Sequence, residues 1–359
     1  MARLDSFLRL VAEQHASDLH FHAGNPPIIR YDGELTPLPF RRLGREEARR
    51  FIFEILTPEQ RQQFDEKREL DLLYELPDVG RFRTNVLEQT NGMGAVFRII
   101  PKGIPTLDEL SYPPAVRKLS QHQNGMVLVC GPTGSGKTTT LAAMVQEINR
   151  TQQKHIITIE DPIEFVHPRI QSIVTQRQVG EHTETFAAAL RSALREAPDV
   201  LVLGEMRDLD TIGLALNAAE TGVLVLATLH TNSAAKAMDR IIDVMPEEAR
   251  EQVRGSLSVL VRGVISQQLC RKANADGRVG AVEILLQNYA VSHMIRDNKV
   301  HQLEGYLQTA SNDGTGAQSL DHSLFTLVRD GLVEGPEAVS MATFPAQLKK
   351  RIEELPAER

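Results

Sequence analysis

The feature that most constrains the fold is a glycine-rich octet, GPTGSGKT at 131–138, which matches the pattern GxxxxGK[ST]. It directly follows an apolar run at 126–130 and precedes the helical sequence TTLAAMVQEIN. Glycines let backbone amides surround an anion without a Cβ in the way, and the start of a helix attracts negative charge. The octet therefore predicts a strand–loop–helix unit that binds phosphate groups.

Within this octet the residue types have separate expected roles. Lys137 should reach the β and γ phosphates of a nucleoside triphosphate, and the Thr138 hydroxyl should bind Mg²⁺. The other expected nucleotide contacts come from the loop and the first helical turn: Gly131, Thr133, Gly134, Ser135, Gly136 and Thr139. The alternative is a glycine-rich turn that carries a surface lysine.

Four apolar runs, at 126–130, 155–159, 199–203 and 223–229, alternate with helix-length segments. Nearly continuous apolar strands of this kind predict an α/β domain with a parallel sheet covered on both faces. Ligands of such sheets bind at the carboxyl ends of the strands. Polar residues that directly follow these runs are therefore candidates by position.

The run DVLVLGE at 199–205 ends in Glu205, the best candidate for a general base that orients and activates water. It resembles a Walker B strand, but Gly204 stands where an Asp that supports Mg²⁺ is usual. The competing interpretation of Glu205 is an exposed acid at a strand end, paired with Arg207.

Three further candidates follow neighbouring strands. Glu160 and Glu164, in IEDPIEF, could hold waters on Mg²⁺ or position the nucleophile. A structural turn begun by Asp161-Pro162 explains part of this segment equally well. His230, at the end of VLVLATLH, is expected to donate to the γ phosphate, and the alternative is a satisfied core histidine.

The length of 359 residues predicts about two domains. Mixed helix and strand patterns predict a smaller N-terminal α+β domain at 1–102. Four prolines between 101 and 114 predict a linker at 103–115. The nucleotide-binding domain then spans 116–359, with a mainly helical portion from about 247.

Composition excludes several classes. A net charge of −7 and 5% aromatic residues argue against a nucleic-acid track. Cys130 and Cys270 are far apart in sequence, and neither has a Cys or His beside it at metal-ligand spacing. A zinc site or a disulfide scaffold is therefore not expected. Apolar runs stay well short of the roughly 18–20 residues of a membrane span. The amino terminus reads as an amphipathic helix and not as a signal peptide, which predicts a cytoplasmic protein.

Four segments in this order resemble the secretion ATPase superfamily of type II secretion and type IV pili. They are the Walker A, aspartate, Walker B and histidine boxes, here GPTGSGKTTT, TIEDPIEF, PDVLVLGEMRDLDT and TLHTNSA, preceded by ASDLHFHAG. The short N-terminal domain and the run RGVISQQLC resemble the PilT-type retraction ATPases. One departure is AVSHMIRD at 290–297, where that type shows AIRNLIRE, so His293 replaces an Asn.

This resemblance implies an ATP hydrolase that uses Mg²⁺, with a PAS-like N-terminal domain and a RecA-like ATPase domain. It further implies a homohexamer, bound through an inner-membrane platform protein to the pilus machinery. Arg81, Arg83 and Arg98 match family positions that offer positive charge to the nucleotide. Strand alternation alone places Arg81 and Arg83 on one face, which could equally be a solvated face.

The implied function is pilus retraction, which drives twitching motility. Three alternatives share the fold: an assembly ATPase, an accessory paralogue of the retraction ATPase, and a RecA-like nucleic-acid translocase. A fourth is a regulatory module that binds ATP without hydrolysing it, against which Lys137, Thr138 and Glu205 argue.

Overall fold

The structure, a computed structural model, describes residues 2–31, 34–100, 103–274, 277–311 and 314–355. The chain divides into two compact units, an N-terminal unit (Met1–Gly103) and a C-terminal unit (Ile104–Arg359). The predicted domain end at residue 102 lies outside the described residues. In the described part of the chain, no helix is long and apolar enough to pass through a membrane.

The N-terminal unit is a six-stranded antiparallel sheet with helices on one face. Its strand order is β3-β2-β1-β6-β5-β4. The elements are α1 (Asp5–Glu13), β1 (Asp18–His22), β2 (Ile28–Tyr31), β3 (Glu34–Pro37), α2 (Arg45–Phe53), α3 (Pro58–Lys67), β4 (Glu69–Leu76), β5 (Gly80–Gln89) and β6 (Gly92–Ile100).

Alternation along the strands gives this sheet one apolar face. Phe21 and Phe82 are fully buried, and Phe21 stacks on Phe51 of α2 with ring centroids 5.8 Å apart. The opposite face is polar, and its register sets Arg98 of β6 directly between Asp18 of β1 and Arg83 of β5. A half-buried antiparallel sheet therefore spreads its charged residues over a face.

The C-terminal unit is a seven-stranded sheet with the order β13-β12-β7-β11-β10-β8-β9. Its strands are β7 (Gly125–Cys130), β8 (His155–Glu160), β9 (Ile173–Gln178), β10 (Val200–Leu203), β11 (Leu224–Leu229), β12 (Val261–Arg271) and β13 (Arg278–Leu286). All neighbouring pairs are parallel except β12 with β13.

Helices surround this sheet. They are α4 (Pro114–Leu119), α5 (Lys137–Thr151), α6 (Phe186–Ala193), α7 (Leu209–Glu220), α8 (Ala234–Asp243), α9 (Arg250–Leu260), α10 (Tyr289–Arg296), α11 (Leu303–Ala310), α12 (Leu320–Arg329), α13 (Gly335–Met341) and α14 (Pro345–Glu353). Short 3₁₀ helices lie at Glu247–Ala249 and Val300–Gln302.

Burial on both faces explains the unbroken apolar strands. Every residue of β7, β10 and β11 is buried. Met126 and Leu128 of β7 pack into the core with α6, α7 and α8, whereas Val127 and Val129 pack into the core with α5. One strand thus serves two cores, as expected for a parallel sheet between helical layers.

The portion from residue 247 contains more helices than strands, and it also contains the long strands β12 and β13, which the sequence does not predict. Polar residues obscure the apolar pattern of β12, and two of them, Ser266 and Gln267, are buried. The segment 104–115 also differs from a free linker, since Leu107 and Ala115 are buried in the core beneath α5.

Candidate nucleotide site

The loop Gly131–Gly136 joins the last residue of β7 to the first residue of α5. Gly131, Gly134 and Gly136 have φ values of 148°, 79° and 87°, which favour glycine. A Cβ at Gly131 would overlap the backbone oxygen of Gln267 and the Ser135 hydroxyl. The glycines of the motif are therefore needed both for the turn and for the close approach of β12.

Lys137 is the first residue of α5, and its side chain lies inside the loop. It is 8% exposed, and Nζ donates to the backbone oxygens of Gly131 at 2.9 Å and Pro132 at 3.0 Å. Burial lowers the pKa of Lys137, and the nearby Glu205 carboxylate acts in the opposite direction. The ammonium group is thus held where phosphate oxygens would enter the loop.

His230 connects this lysine to Glu205. Its Nδ1 lies 3.4 Å from Lys137 Nζ, and its Nε2 lies 3.2 Å from Glu205 Oε1. Because an ammonium group can only donate, Nδ1 accepts and Nε2–H donates to the carboxylate. The carboxyl ends of β7, β10 and β11 therefore bring three predicted site residues into one hydrogen-bonded chain.

The second carboxylate oxygen of Glu205 accepts a hydrogen bond from Arg207. Arg207 Nη2 donates to Oε2 at 2.7 Å, so the pairing considered as the competing interpretation is present alongside the contact with His230. Burial pushes the pKa of Glu205 upward, but the hydrogen bond and charge of Arg207, together with the hydrogen bond from His230, outweigh it, so the pKa lies below its ordinary value. Glu205 is therefore an ionised acceptor in this structure.

Gly204 stands where a Walker B aspartate is usual, and the structure gives a steric reason. A Cβ there would lie 3.2 Å from the backbone oxygen of Ile159 and 3.3 Å from the Cα of Glu160. Both neighbours are backbone atoms of β8, which cannot move aside as a flexible side chain can. The close approach of β10 to β8 therefore favours glycine at this position.

Glu160 lies at the end of β8 in its own hydrogen-bonded cluster. Thr158 Oγ1 donates to its Oε1 at 2.6 Å, and Gln176 Nε2 donates to the same oxygen at 3.3 Å. Burial raises the pKa of Glu160 against these two hydrogen bonds, and Glu164 raises it further by its charge. Glu160 and Glu164 are thus electrostatic neighbours, while the peptide bond between Asp161 and Pro162 in the intervening turn is cis.

The three arginines predicted to contact nucleotide lie on the N-terminal unit. Arg83 and Arg98 are cross-strand partners on β5 and β6, and Arg81 follows on the same face two residues along. Arg98 Nε donates to Asp18 Oδ1 at 2.8 Å. The alternative is that these arginines lie on a solvated face. The side chain of Arg98 is 64% exposed, which agrees with that alternative.

The sequence alone missed the residues that support the site from neighbouring strands. Gln176 and Gln178 of β9 accept hydrogen bonds from the backbone of His167 and Ile163, which shapes the loop after Glu160. Gln267 of β12 donates to the backbone oxygen of Ser135. A polar residue inside an otherwise apolar strand run is the one signal that could have identified Gln267.

This fold and this site define a P-loop ATPase of the RecA-like class. The chain belongs to the family described as Type II/IV secretion system protein, whose model matches residues 2–322. The family and the fold class predicted from sequence are therefore confirmed.

Individual relatives extend over nearly the whole chain. It is 47% identical over 342 residues to the type IV pilus retraction ATPase PilT of Pseudomonas aeruginosa, covering 95% of this chain and 98% of that protein. It is 37% identical over 348 residues to the type IV pilus ATPase PilU of the same organism, covering 97% and 91%. The crystal structure of the pilus retraction motor PilT with bound ADP superposes with a TM-score of 0.87 at 42% identity, covering 98% and 99%.

Proposed function

We propose that this chain hydrolyses ATP and uses the energy to retract type IV pili, which drives twitching motility. The observation that carries the proposal is the chain of contacts from Lys137 through His230 to Glu205 beside the glycine loop. The retraction function predicted from sequence agrees with the name of PilT, the relative with 47% identity.

The residues of the site have complementary roles in this reaction. Backbone amides of the loop and the amino-terminal end of α5 bind the phosphates, and Lys137 supplies positive charge. Glu205 accepts a hydrogen bond from the attacking water and so orients it toward the γ phosphate. His230 donates from Nε2 and links the state of Glu205 to Lys137, which suits a sensor of the γ phosphate.

The residues present also fit Mg²⁺. Ser135 Oγ is buried and has no hydrogen-bond partner among the residues that the structure describes, and Thr138 lies in the first turn of α5, so two hydroxyls are available beside the loop. These hydroxyls would hold Mg²⁺, which would supply positive charge to neutralise the phosphates. Glu160 would hold waters on the metal, since a nearby cation favours the ionised form of a carboxyl whose pKa burial has raised.

The other expectations concern assembly. We propose a homohexamer in which Arg81, Arg83 and Arg98 of the N-terminal unit offer positive charge to a bound nucleotide. The ring would lie on the cytoplasmic side of the inner membrane, held there by a platform protein of the pilus. Support for the arginine role is their common face on β5 and β6.

An accessory paralogue is the second candidate function. The observation in its favour is His293 of α10, which stands where retraction ATPases of this type carry Asn. Its Nε2 lies 3.4 Å from Oδ2 of Asp297, the residue after the helix. The identities of 47% to PilT and 37% to PilU favour the main retraction function.

Deletion of the gene and complementation with the wild-type and Lys137→Ala chains test the proposal. A retraction ATPase predicts piliated cells without twitching in the deletion strain, and rescue by the wild type alone. Cells without pili would instead show an assembly ATPase. Normal twitching in the deletion strain would overturn the retraction function and favour an accessory role.

A further inference from the structure

A buried hydrogen-bonded relay from the segment 104–115 through α5 to β12 ends on the glycine loop. Gln267 of β12 is fully buried, and its Nε2 donates to the backbone oxygen of Ser135 at 2.5 Å. Its Oε1 accepts from Thr140 Oγ1 of α5 at 2.7 Å. Tyr112 completes the relay, with its hydroxyl 3.0 Å from Thr140 Oγ1.

The direction of the relay follows from its donors. Thr140 has a single hydroxyl proton, which it gives to Gln267 Oε1, so its oxygen accepts the proton of Tyr112. Each donor strengthens the next along such a chain. The Ser135 oxygen can only accept, so it requires Gln267 Nε2 to face the loop, and Thr140 and Tyr112 hold the Oε1 end.

The loop backbone responds to this contact through peptide geometry. In a trans peptide the C=O and the N–H point in opposite directions. Because the Ser135 oxygen points toward Gln267, the Gly136 N–H points away from β12. Gly136 also leaves little space for a side chain, since a Cβ there would lie 3.1 Å from Gln267 Nε2.

We propose that Gln267 is a positioning residue for phosphate binding, held in orientation by Thr140 and Tyr112. It fixes the Ser135–Gly136 peptide so that the Gly136 N–H is available to the phosphates of a nucleotide. Tyr112 lies in the segment 104–115 that enters the C-terminal unit, and Gly280 of β13 leaves room for its ring. The relay thus joins the phosphate loop to the start of this unit.

This inference rests on the proposed ATPase function, and isosteric variants of the purified full chain test it with ADP as the probe. In Gln267→Glu, a carboxylate cannot donate to the Ser135 oxygen, but a protonated carboxyl can. We expect ADP to bind about tenfold more weakly than to the wild type at pH 8, and near wild-type binding at pH 6.

The control is Gln268→Glu, the next residue of the same strand, which points to the opposite face. It should bind ADP like the wild type at both pH values. Any change in the ADP affinity of the wild type between pH 6 and pH 8 comes from other titrating groups and is subtracted from the change in the variants. Equal binding by Gln267→Glu and wild type at pH 8, or the same weakening at both pH values, would overturn the relay. A folded wild-type chain that does not bind ADP would instead contradict the proposed function.

Tyr112→Phe provides a second, milder test if the charged variant does not fold. Without the phenol proton, the KM for ATP should rise about threefold to tenfold while kcat stays within about twofold. Tyr306→Phe removes the same atom from a tyrosine whose hydroxyl accepts from Asn288, and should change neither constant. If the two variants changed the KM for ATP equally, the Tyr112 hydroxyl would have no specific role in positioning Gln267.

Discussion

The two sheets of this molecule place their charged residues in different ways. In the C-terminal unit, parallel strands are buried on both faces, so polar residues occur at the strand ends and converge, as Lys137, His230 and Glu205 do. In the N-terminal unit, antiparallel strands are buried on one face, so charged residues spread across the other, as Asp18, Arg98 and Arg83 do. Strand direction thus decides whether charged residues form one local site at the strand ends or are distributed over a whole face of the sheet.

The units also differ in how they accommodate a buried carboxyl. The side chain of Asp18 is 4% exposed, and its carboxylate pairs with Arg98 at 2.8 Å and with Arg30 at 3.5 Å. Glu283 of β13 is 7% exposed and accepts the backbone N–H of Ala234, at the start of α8, at 2.7 Å. A backbone amide supplies less compensation than two guanidinium groups, and burial raises the pKa of Glu283 to about 7.

The largest expected effect concerns the converging site. Glu205→Gln keeps the shape of the side chain but removes the acceptor of the water proton, so kcat should fall by about 10²–10⁴-fold. ADP affinity should stay within about threefold, because the loop and Lys137 are untouched. Steady-state ATPase assays and calorimetric ADP titration measure the two quantities.

The control for this variant is Glu220→Gln, at the far end of α7, where the carboxylate accepts from Ser256. Wild-type turnover in Glu205→Gln would show that the strand ends position phosphate without supplying the base.

An intermediate effect concerns the buried carboxyl of β13. The folded pKa of Glu283, about 7, lies above the ordinary 4.5, so the native state holds this proton more tightly than the unfolded state. Its contribution to stability is therefore lost as the pH rises from 4.5 through 7. Glu283→Gln should remove about 3 kcal/mol of the wild-type decline in unfolding free energy between pH 5 and pH 8.

Chemical denaturation at four pH values across this range measures the difference between the two profiles. Glu353→Gln, an exposed residue of α14, serves as the matched substitution and should leave the profile unchanged. Parallel profiles for Glu283→Gln and wild type would show that the carboxyl is already compensated in the fold.

The smallest expected effect concerns the spread charges of the N-terminal sheet. Asp18→Asn replaces the carboxylate that pairs with Arg98 and Arg30, and should lower the unfolding free energy by about 1–2 kcal/mol. The side chain of Arg98 is 64% exposed, which keeps the loss modest. Asp71 is an exposed residue of β4 whose carboxylate accepts from Asn85, and Asp71→Asn should cost less than about 0.5 kcal/mol. Equal losses in both variants, measured by denaturation at low and high salt, would show that the row of charges across the sheet contributes no more than a surface contact.

The same difference between the sheets governs how much the sequence could predict. The octet at 131–138 and the apolar runs predicted the loop, the helix after it and the central parallel strands, because burial on both faces leaves a continuous apolar run. Glu205 and His230 could be assigned by position, since parallel strands end at one edge of the sheet. Neither position nor composition could reveal that His230 bonds Lys137 and Glu205 at once.

The sequence did not predict the strands whose polar side chains form hydrogen bonds with distant parts of the chain. In β12, Gln267 is buried because the Ser135 oxygen and the Thr140 hydroxyl satisfy its amide, and a sequence does not show such partners. In β9, Gln176 and Gln178 bond the loop backbone at 163–167, so an edge strand reads as a polar segment. These positions follow from tertiary contacts, which periodicity does not record.

The contacts of Lys137 set a threshold for what can enter the loop. Its ammonium protons are already bonded to two backbone oxygens and an imidazole. An incoming anion must displace these hydrogen bonds before it can bind the Lys137 ammonium group. A small anion with one or two oxygens forms too few new hydrogen bonds to replace them. A polyphosphate can engage the loop amides and the lysine together, so it replaces these bonds more completely than a small anion does.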